Sequence, residues 1–349
     1  MIETLISRWD GESVITKYEK DFRAWIFIAI HSTVLGPAAG GTRMKIYGAP
    51  GEALLDAMRL AEGMTLKYAV ADFPRGGGKA VIGLTGELDC DDRIELLRRY
   101  GMLVRSLRGA FLTGPDVGTT SEDMDIIHRT GSPYIFSRTA ESGGAGSSGY
   151  YTAIGVYHGM RAVCRSLFGD PSPAGRRICL QGVGSVGATL VELARNDGAE
   201  LVVTDVNPAA LERFAGVDGI SIVSPEEIYD DECDIFSPCA MGGVLNERTI
   251  PRLRCRAIVG AANNQLESET DAKRLKMRGI LYAPDFAVNI GGAMAVTGIE
   301  GMGWPEERAL QEVARVEETV ARIFEISAAE GITTDAAARM LARERLSKV

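Results

Sequence analysis

The stretch QGVGSVG, residues 181–187, decides the fold of the C-terminal half of the chain. It follows the strand-like run RICLQ (177–181) and leads into the helix-like run VGATLVELARND (186–197). The next strand-like run, LVVTD, ends at Asp205, which lies 18 residues beyond Gly187. Because a G-x-G-x-x-G motif between a strand and a helix is typical of a dinucleotide-binding βαβ unit, this half is predicted to be a Rossmann domain.

The three glycines of this motif each have a physical reason to be there. Gly182 permits a tight turn, Gly184 lets the backbone approach a pyrophosphate, and Gly187 lets the helix pack closely on the sheet. The helix N-terminus then offers backbone N–H groups to the phosphates. The residues between the glycines share this expected role: Val183, Ser185 and Val186. The alternative is that these glycines serve turns alone.

Asp205 stands where a carboxylate hydrogen-bonds the adenosine ribose hydroxyls of a dinucleotide. A carboxylate at this place repels the 2′-phosphate of NADP. NAD is therefore the predicted cofactor, and Asn207, where NADP enzymes often carry a cation, supports this choice.

Strand-like and helix-like segments alternate through the rest of this half, which indicates an α/β fold with a parallel sheet. Ligands of such sheets lie at the carboxyl ends of the strands. Three of these ends carry unusual residues: Cys239-Ala240, Ala261-Ala262-Asn263-Asn264 and Pro284-Asp285. The two adjacent amides suit hydrogen bonds to a nicotinamide or a substrate, and ordinary turn chemistry is the alternative.

The N-terminal half reads as a mixed α/β region. Residues 13–31 alternate like two strands, and residues 51–66 have the spacing of an amphipathic helix. The small polar segment 138–150 is the clearest candidate linker. Two domains are therefore expected, over residues 1–135 and 136–329.

Composition excludes several function classes. The 349 residues include 41 glycines without a G-x-y period, and 46 % are hydrophobic, so the chain is neither collagen-like nor disordered. The net charge of −9 without long blocks of one sign predicts no nucleic-acid partner. No apolar run is long enough to span a membrane, and no signal-like start is present. Six scattered cysteines indicate the reducing cytoplasm, and three separated histidines predict no metal site.

Four polar residues of the N-terminal half stand in unusual settings. Lys67 lies in the apolar run MTLKYAVA, and Lys79 lies between three glycines and the strand-like AVIGL. The glycines are expected to leave Lys79 uncovered and to bring backbone close to a ligand. A desolvated lysine near a second cation has a lowered pKa and can act as a general base.

Asp116 follows a strand end, and Arg43 could meet a carboxylate or a phosphate. For these residues a turn aspartate and a surface arginine are the alternatives, and for Lys79 the alternative is a surface lysine beside a loop.

Motifs along nearly the whole chain resemble those of the Glu/Leu/Phe/Val dehydrogenases. They run in order from LGPAAGGTR (35–43) to YAPDFAVNIGGA (282–293). The motifs between these two are GMTLKYA (63–69), GGGKAV (76–81), TGPDVGT (113–119), QGVGSVG (181–187), CDIFSPCAMGG (233–243) and GAANNQL (260–266).

The resemblance implies a homo-oligomeric enzyme that converts an L-amino acid and NAD reversibly to a 2-oxo acid, ammonia and NADH. It implies that residues 1–135 bind substrate and form oligomer contacts, and that residues 136–329 bind NAD. The C-terminal helix, about 330–349, is expected to return to the first domain, and the cleft between the domains to close over substrate. The implied mechanism is hydride transfer from Cα, attack of a water on the resulting iminium, and release of ammonia.

The resemblance also implies roles for single residues. Lys67 resembles the lysine that binds the substrate α-carboxylate, and its charge is expected to lower the pKa of Lys79, which resembles the catalytic lysine. Asp116 resembles the carboxylate that handles protons on the substrate nitrogen. Gly40 is expected to offer backbone to the α-carboxylate, and Asn263 matches an amide near substrate and nicotinamide. The remaining residues expected at the cofactor are Arg43, Thr152, Cys239, Ala240, Ala261 and Ala262.

The pocket motifs resemble phenylalanine dehydrogenases. The stretch LGPAAGG has no lysine to hold a side-chain carboxylate, so glutamate is not the expected substrate. Small residues stand where larger ones are common in leucine and valine relatives, and they are expected to enlarge the pocket for L-phenylalanine. These residues are Ala39, Gly114 and Ala293. Val296 instead resembles the branched-chain enzymes. Leucine and tryptophan stay open as alternative substrates, and a catalytically silent NAD-binding protein is the remote alternative.

Overall fold

The computed structural model describes Ser7 and residues 9–348, and the chain divides into two compact units. The first unit holds the chain up to Ser148, Val296–Ala309 and the segment from Ala342 onward. The second unit holds Gly149–Ala295 and Leu310–Leu341. The expected boundary at residues 135/136 therefore lies too early, and the returning C-terminal segment begins later than residue 330.

Glu300 explains why the segment after residue 135 stays with the first unit. Its carboxylate accepts hydrogen bonds from the backbone N–H of Ser137 at 2.6 Å and of Ala145 at 2.9 Å. Arg138 Nε donates to the same carboxylate at 3.0 Å. The glycine-rich stretch expected to be a linker is thus fastened to the first unit.

A five-stranded sheet in the order β1-β2-β4-β3-β5 forms the centre of the first unit. β3 runs parallel to β4 and β5, whereas β2 runs antiparallel to β1 and β4. The strands are β1 (Ser13–Glu19), β2 (Ala24–Ser32), β3 (Ala38–Ile46), β4 (Gly76–Leu84) and β5 (Phe111–Pro115). The main helices are α1 (Pro50–Val70), α2 (Cys90–Ser106) and α3 (Ser121–Gly131).

The period-two pattern of β2 explains the two layers of helices. Ile26 and Ile28 pack in a cluster with Leu96 of α2, whereas Phe27 packs on the other face in a cluster with Ala57 of α1. Successive side chains of a strand point to opposite faces, so one strand serves both cores. Helix α3 begins with a capping box at Thr120 and Asp123.

The glycines before Lys79 serve close packing within the first unit and do not leave Lys79 uncovered as expected. Every residue of β4 is buried. A Cβ at Gly77 would lie 2.2 Å from the backbone nitrogen of Thr65, and a Cβ at Gly78 would lie 2.8 Å from the ring of Phe111. These glycines let helix α1 and the Phe111 side chain of β5 pack onto β4, and Lys79 is consequently covered rather than open.

The second unit contains a parallel sheet in the order β11-β10-β9-β6-β7-β8, which confirms the predicted Rossmann-type α/β fold. The strands are β6 (Arg177–Gln181), β7 (Glu200–Thr204), β8 (Ile220–Ile222), β9 (Ile235–Pro238), β10 (Ala257–Ile258) and β11 (Leu281–Tyr282).

The helices that follow α3 belong to the second unit or to the returning segments. They are α4 (Gly149–Phe168), α5 (Ser185–Asn196), α6 (Pro208–Leu211), α7 (Glu269–Met277), α8 (Asp285–Val288), α9 (Gly291–Met302), α10 (Glu306–Ala314), α11 (Val316–Glu330) and α12 (Thr334–Ser347). Arg315 separates α10 from α11. Within residues 9–348, no helix combines the length and the apolar character that crossing a bilayer requires.

Candidate active site and dinucleotide loop

Lys79 is a buried cation in the middle of β4, with only 5 % of its surface exposed. It lies two residues before Val81, which packs against α1, so both side chains leave the strand on that face. Its Nζ donates a hydrogen bond to Asp116 Oδ2 at 2.5 Å. Burial lowers the pKa of Lys79 and outweighs the opposing charge of Asp116, while the charge of Arg43 lowers it further. A lysine in this setting is prepared to give up its proton.

Asp116 directly follows β5 and binds two cations, one on each carboxylate oxygen. Oδ2 faces Lys79, and Oδ1 accepts a hydrogen bond from Arg43 Nε at 2.8 Å. Burial alone would raise the pKa of Asp116, but the charges and hydrogen bonds of the two cations hold it well below its usual range. Gly41 leaves room for the pair, because a Cβ there would lie 2.9 Å from Asp116 Cβ and 3.3 Å from Lys79 Nζ.

Arg43 bridges two carboxylates of the first unit. Besides Asp116, its guanidinium contacts the carboxylate of Asp56, through Nη1 at 2.9 Å. Two carboxylates of the first unit thus hold this cation, and its expected cofactor-binding role stays a prediction. The charge of Arg43 lowers the pKa of Lys79, and the same effect expected of Lys67 stays a prediction.

Lys67 lies in the last turn of α1 and is partly buried. The same helix covers the face of the sheet that carries Lys79. Gly40 lies in β3, where a Cβ would lie 1.8 Å from the carbonyl oxygen of Gly78. The close approach of two backbones thus requires glycine at position 40.

Gly114, one of the three small residues expected to enlarge the substrate pocket, lies against an aromatic ring. A Cβ at Gly114 would lie 2.4 Å from Phe136 Cε2, so the ring of Phe136 already fills the room that the missing side chain leaves. Phe136 is itself 6 % exposed, and its backbone N–H donates to Thr113 O at 2.9 Å. Gly114 therefore leaves room for the Phe136 ring, and its expected effect on a substrate pocket stays a prediction.

The other two small residues lie in different units. Ala39 is fully buried in β3, paired with Gly77 on one side and Leu112 on the other. Ala293 lies in the part of α9 that belongs to the second unit, whereas Val296 lies in the part that belongs to the first and is 2 % exposed.

The predicted dinucleotide loop has the features that a bound dinucleotide needs. Gly182 has a left-handed φ of +95°, which favours glycine, and a Cβ at Gly187 would lie 2.0 Å from the carbonyl oxygen of Gly182. Gly184 is exposed, with open space where a Cβ would be. It caps α5 without a side-chain hydrogen bond, which leaves first-turn N–H groups available to phosphate.

Asp205 is fastened to this loop. Its Oδ2 accepts a hydrogen bond from the backbone N–H of Val183, and its Oδ1 accepts one from the N–H of Asn207, both at 2.8 Å. The carboxylate at the end of β7 is thereby fixed beside the loop that follows β6. This geometry fits a dinucleotide whose pyrophosphate and ribose are held by neighbouring strands.

The loops after four adjacent strands lie side by side along one edge of the second sheet. A Cβ at Gly182 would lie 2.6 Å from Ala240 Cβ, and a Cβ at Gly242 would lie 2.7 Å from Asn263 O. The N–H of Cys239 donates to Gln181 O at 2.7 Å. The site residues that share this edge are Val183, Gly184, Ser185, Val186, Asp205, Cys239, Ala240, Ala261, Ala262 and Asn263. Thr152, by contrast, lies in the first turn of α4.

The sequence reasoning missed several residues that hold these groups. Asn289 Nδ2 donates to Asn263 Oδ1 at 3.0 Å and to Ala261 O at 3.1 Å. Asp56 and Tyr47 were likewise not singled out. An asparagine buried in the apolar run DFAVNIGGA was an available signal for Asn289. Asp56, however, lies on a helix with many charged residues, where its spacing carries no information.

Comparison with known proteins places the two halves in one family. Residues 16–132 match the Glu/Leu/Phe/Val dehydrogenase dimerisation domain, and residues 200–349 match the Glutamate/Leucine/Phenylalanine/Valine dehydrogenase domain. The leucine dehydrogenase of Thermoactinomyces intermedius is 41 % identical over 98 % of this chain and 92 % of its own length. The phenylalanine dehydrogenase of Bacillus thermotolerans is also 41 % identical, over 97 % of this chain and 88 % of its own length.

A solved relative has the same fold along its whole length. The crystal structure of L-tryptophan dehydrogenase from Nostoc punctiforme aligns with a TM-score of 0.86 and 38 % identity, covering 100 % of this chain and 99 % of that chain. Relatives named for three different amino acids thus lie at nearly equal identity. These identities do not favour phenylalanine over leucine.

Proposed function

Because the chain belongs to the Glu/Leu/Phe/Val dehydrogenases, a family of NAD(P)-dependent amino acid dehydrogenases, we propose that it oxidatively deaminates a large apolar L-amino acid, preferably L-phenylalanine. The products are the 2-oxo acid, ammonia and NADH, and the reaction is reversible. NAD is the cofactor typical of the leucine, phenylalanine and tryptophan members. The observation that carries the proposal is the buried Lys79, whose Nζ lies 2.5 Å from Asp116 Oδ2.

Lys79 is the general base in this proposal. Its burial favours the neutral amine, which can accept a proton from a water as that water attacks the substrate carbon. Asp116 contacts the same amine, so it is placed to exchange protons with Lys79 and with the substrate nitrogen. Its low pKa keeps it ionised at neutral pH.

Lys67 and Gly40 are the proposed ligands of the substrate α-carboxylate. A lysine ammonium supplies the opposite charge, and Gly40 is proposed to contribute backbone polar groups. Asn263 is proposed to bind substrate or nicotinamide through its exposed amide, with its oxygen already engaged by Asn289.

NAD is proposed to bind along the loop edge of the second unit, where it supplies the acceptor for the substrate's Cα hydride. The N–H groups at the start of α5 hold the pyrophosphate, because that helix end has no side-chain cap. Asp205 binds the ribose and disfavours a 2′-phosphate. Further proposed contacts are Thr152, Cys239, Ala240, Ala261 and Ala262.

The proposed preference for L-phenylalanine rests mainly on Ala39 and Ala293, two of the three small residues. Ala39 and Ala293 remain as sites where a smaller side chain leaves volume. Phe136 takes up the volume beside Gly114. A hydrophobic pocket separates substrates by only about 1–3 kcal/mol per methylene, so leucine and tryptophan are the competitors to measure.

The test is a panel of L-amino acids assayed by initial NADH formation, with phenylalanine, leucine, valine, methionine, tryptophan and glutamate. We expect the highest kcat/KM with phenylalanine and none detectable with glutamate. A higher kcat/KM with leucine or tryptophan would refute the phenylalanine preference. NADH formation with none of the six would refute the proposed activity itself.

We also propose a cytoplasmic homo-oligomer. Residues 16–132 match a domain described as a dimerisation domain, which supports self-association. All six cysteines are free thiols in the structure, which suits a reducing compartment. Analytical ultracentrifugation tests the assembly, and a single monomeric species at micromolar concentration would contradict it.

A further inference from the structure

A second carboxylate lies behind Arg43 on helix α1. Asp56 Oδ2 accepts hydrogen bonds from Arg43 Nη1 at 2.9 Å and from Tyr47 Oη at 2.7 Å. Asp56 Oδ1 accepts one from Arg59 Nη2 at 3.0 Å. The Asp56 side chain is only 13 % exposed, so this carboxylate is both desolvated and paired on each oxygen.

Arg43 connects this carboxylate to the proposed catalytic pair. Its Nε contacts Asp116 Oδ1 while its Nη1 contacts Asp56 Oδ2, so two carboxylates fix the plane of one guanidinium. The charges of Asp56, Arg43, Asp116 and Lys79 therefore alternate in sign along one continuous chain of contacts. With Asp116 Oδ1 held by Arg43, the other oxygen is left facing Lys79 Nζ.

The groups in this chain of contacts lie on separate elements, so the Arg43 side chain needs a second partner to fix its orientation. Arg43 is on β3, Asp116 is in the loop after β5, and Asp56 is on α1. A long arginine side chain with one partner keeps several rotamers, and ordering it has an entropic cost. Asp56 supplies a second anchor from the helix, and Tyr47 in turn holds the oxygen that Arg43 uses.

We infer that Asp56 is a positioning residue, which acts through Arg43 to aim the Asp116 carboxylate at Lys79. The inference rests on the proposed roles of Lys79 and Asp116 and adds Asp56, which touches neither of them in the described contacts. It is a role in orientation and not in proton transfer.

The test begins with Asp56→Asn, which keeps the shape and removes the charge. Misplacement of a catalytic group by about 1 Å can cost roughly 100-fold in rate, so kcat is expected to fall about 10- to 100-fold. KM for the amino acid is expected to stay within about threefold, because the loss is confined to the chemical step. The matched control is Arg59→Gln, which removes a 60 % exposed partner of the same carboxylate and should leave kcat within about twofold.

A double-mutant cycle separates positioning from a merely structural role. If Asp56 acts through Asp116, adding Asp56→Asn to Asp116→Asn should cause no further loss of kcat. Equal losses in both backgrounds would overturn the inference, as would a kcat for Asp56→Asn within threefold of the parent. If Asp56→Asn does not fold, Tyr47→Phe removes one hydrogen bond to the same oxygen and enters the same cycle, with a smaller loss expected.

The failure of this inference is distinguishable from failure of the proposed function. Full turnover by Lys79→Ala would refute the catalytic assignment on which both depend. An inactive Lys79→Ala together with a fully active Asp56→Asn would leave the proposed function intact and remove only the role of Asp56.

Discussion

Substitution of Gly114 by alanine tests whether Phe136 occupies the space beside β5. The new Cβ would lie 2.4 Å from Phe136 Cε2 and 2.6 Å from its Cδ2. Carbon atoms in contact prefer about 3.5–4.0 Å, so the buried ring has to move by roughly 1 Å or more. Overpacking of this kind typically costs about 1–3 kcal/mol. We therefore expect Gly114→Ala to destabilise the protein by that amount.

The assay is thermal unfolding followed by calorimetry, with the midpoint compared between variants at one protein concentration. Each kcal/mol corresponds to roughly 2–4 °C for a unit of this size, so the Tm is expected to fall by several degrees. Phe136→Leu added to Gly114→Ala should recover part of that loss, because the shorter side chain vacates the place of the new methyl group.

The chain offers a matched control for this experiment. Gly63 lies inside α1, with nothing within 4 Å of where its Cβ would be. Gly63→Ala removes a helix-disfavouring residue without a clash, so it should stabilise by about 0.5–1 kcal/mol. A Gly114→Ala variant as stable as the parent, beside a stabilised Gly63→Ala, would refute the packing described here.

Three further outcomes follow from the two sites. Neutral Lys79 is the active form, so activity rises with pH through the pKa of Lys79. Asp116→Asn removes a charge that raises this pKa, so it should move the ascending limb of the kcat/KM profile to lower pH. Arg43→Gln removes a charge that lowers this pKa, so it should move the ascending limb to higher pH. Profiles that shift in the same direction for both variants would contradict this. Asp205→Ser should raise the NADP to NAD ratio of kcat/KM at least tenfold, by loss of charge repulsion, and an unchanged ratio would remove Asp205 as the selector. Gly187→Ala places a Cβ 2.0 Å from Gly182 O and should weaken NADH binding at least tenfold by fluorescence titration, and unchanged affinity would contradict the assigned loop.

The Rossmann unit was predictable because its signals are local. A strand, three glycines at fixed spacing, a helix and an acidic residue at the next strand end all lie within 29 residues, from Arg177 to Asp205. Each glycine has a backbone reason that the structure reproduces, such as the left-handed φ at Gly182.

The contacts around Lys79 were less predictable because they depend on strand order. β4 and β5 both pair with β3, so a lysine and an aspartate that are 37 residues apart meet over Gly41. No sequence period encodes this meeting. The family resemblance was enough to predict Lys79 and Asp116 as catalytic residues. The position of Arg43 between two carboxylates could be seen only in the folded structure.

What occupies the space beside a glycine was the feature that the sequence predicted least well. Their positions suggest the approach of a ligand. At Gly77, Gly78 and Gly114, however, the protein's own atoms occupy the space where a Cβ would lie. A glycine looks the same in a sequence whether a substrate or a neighbouring side chain occupies the space beside it. Only the coordinates of Thr65, Phe111 and Phe136 distinguish the two.

A Lys79→Ala variant tests whether Lys79 is the base for deamination. NADH formation from L-phenylalanine and NADH binding are measured on the same preparation. Removal of a general base typically costs about 10²–10⁴ in rate, so NADH formation should fall by at least 100-fold while the NADH Kd stays within about threefold. Turnover by Lys79→Ala within tenfold of the parent, with NADH still bound, would contradict the claim.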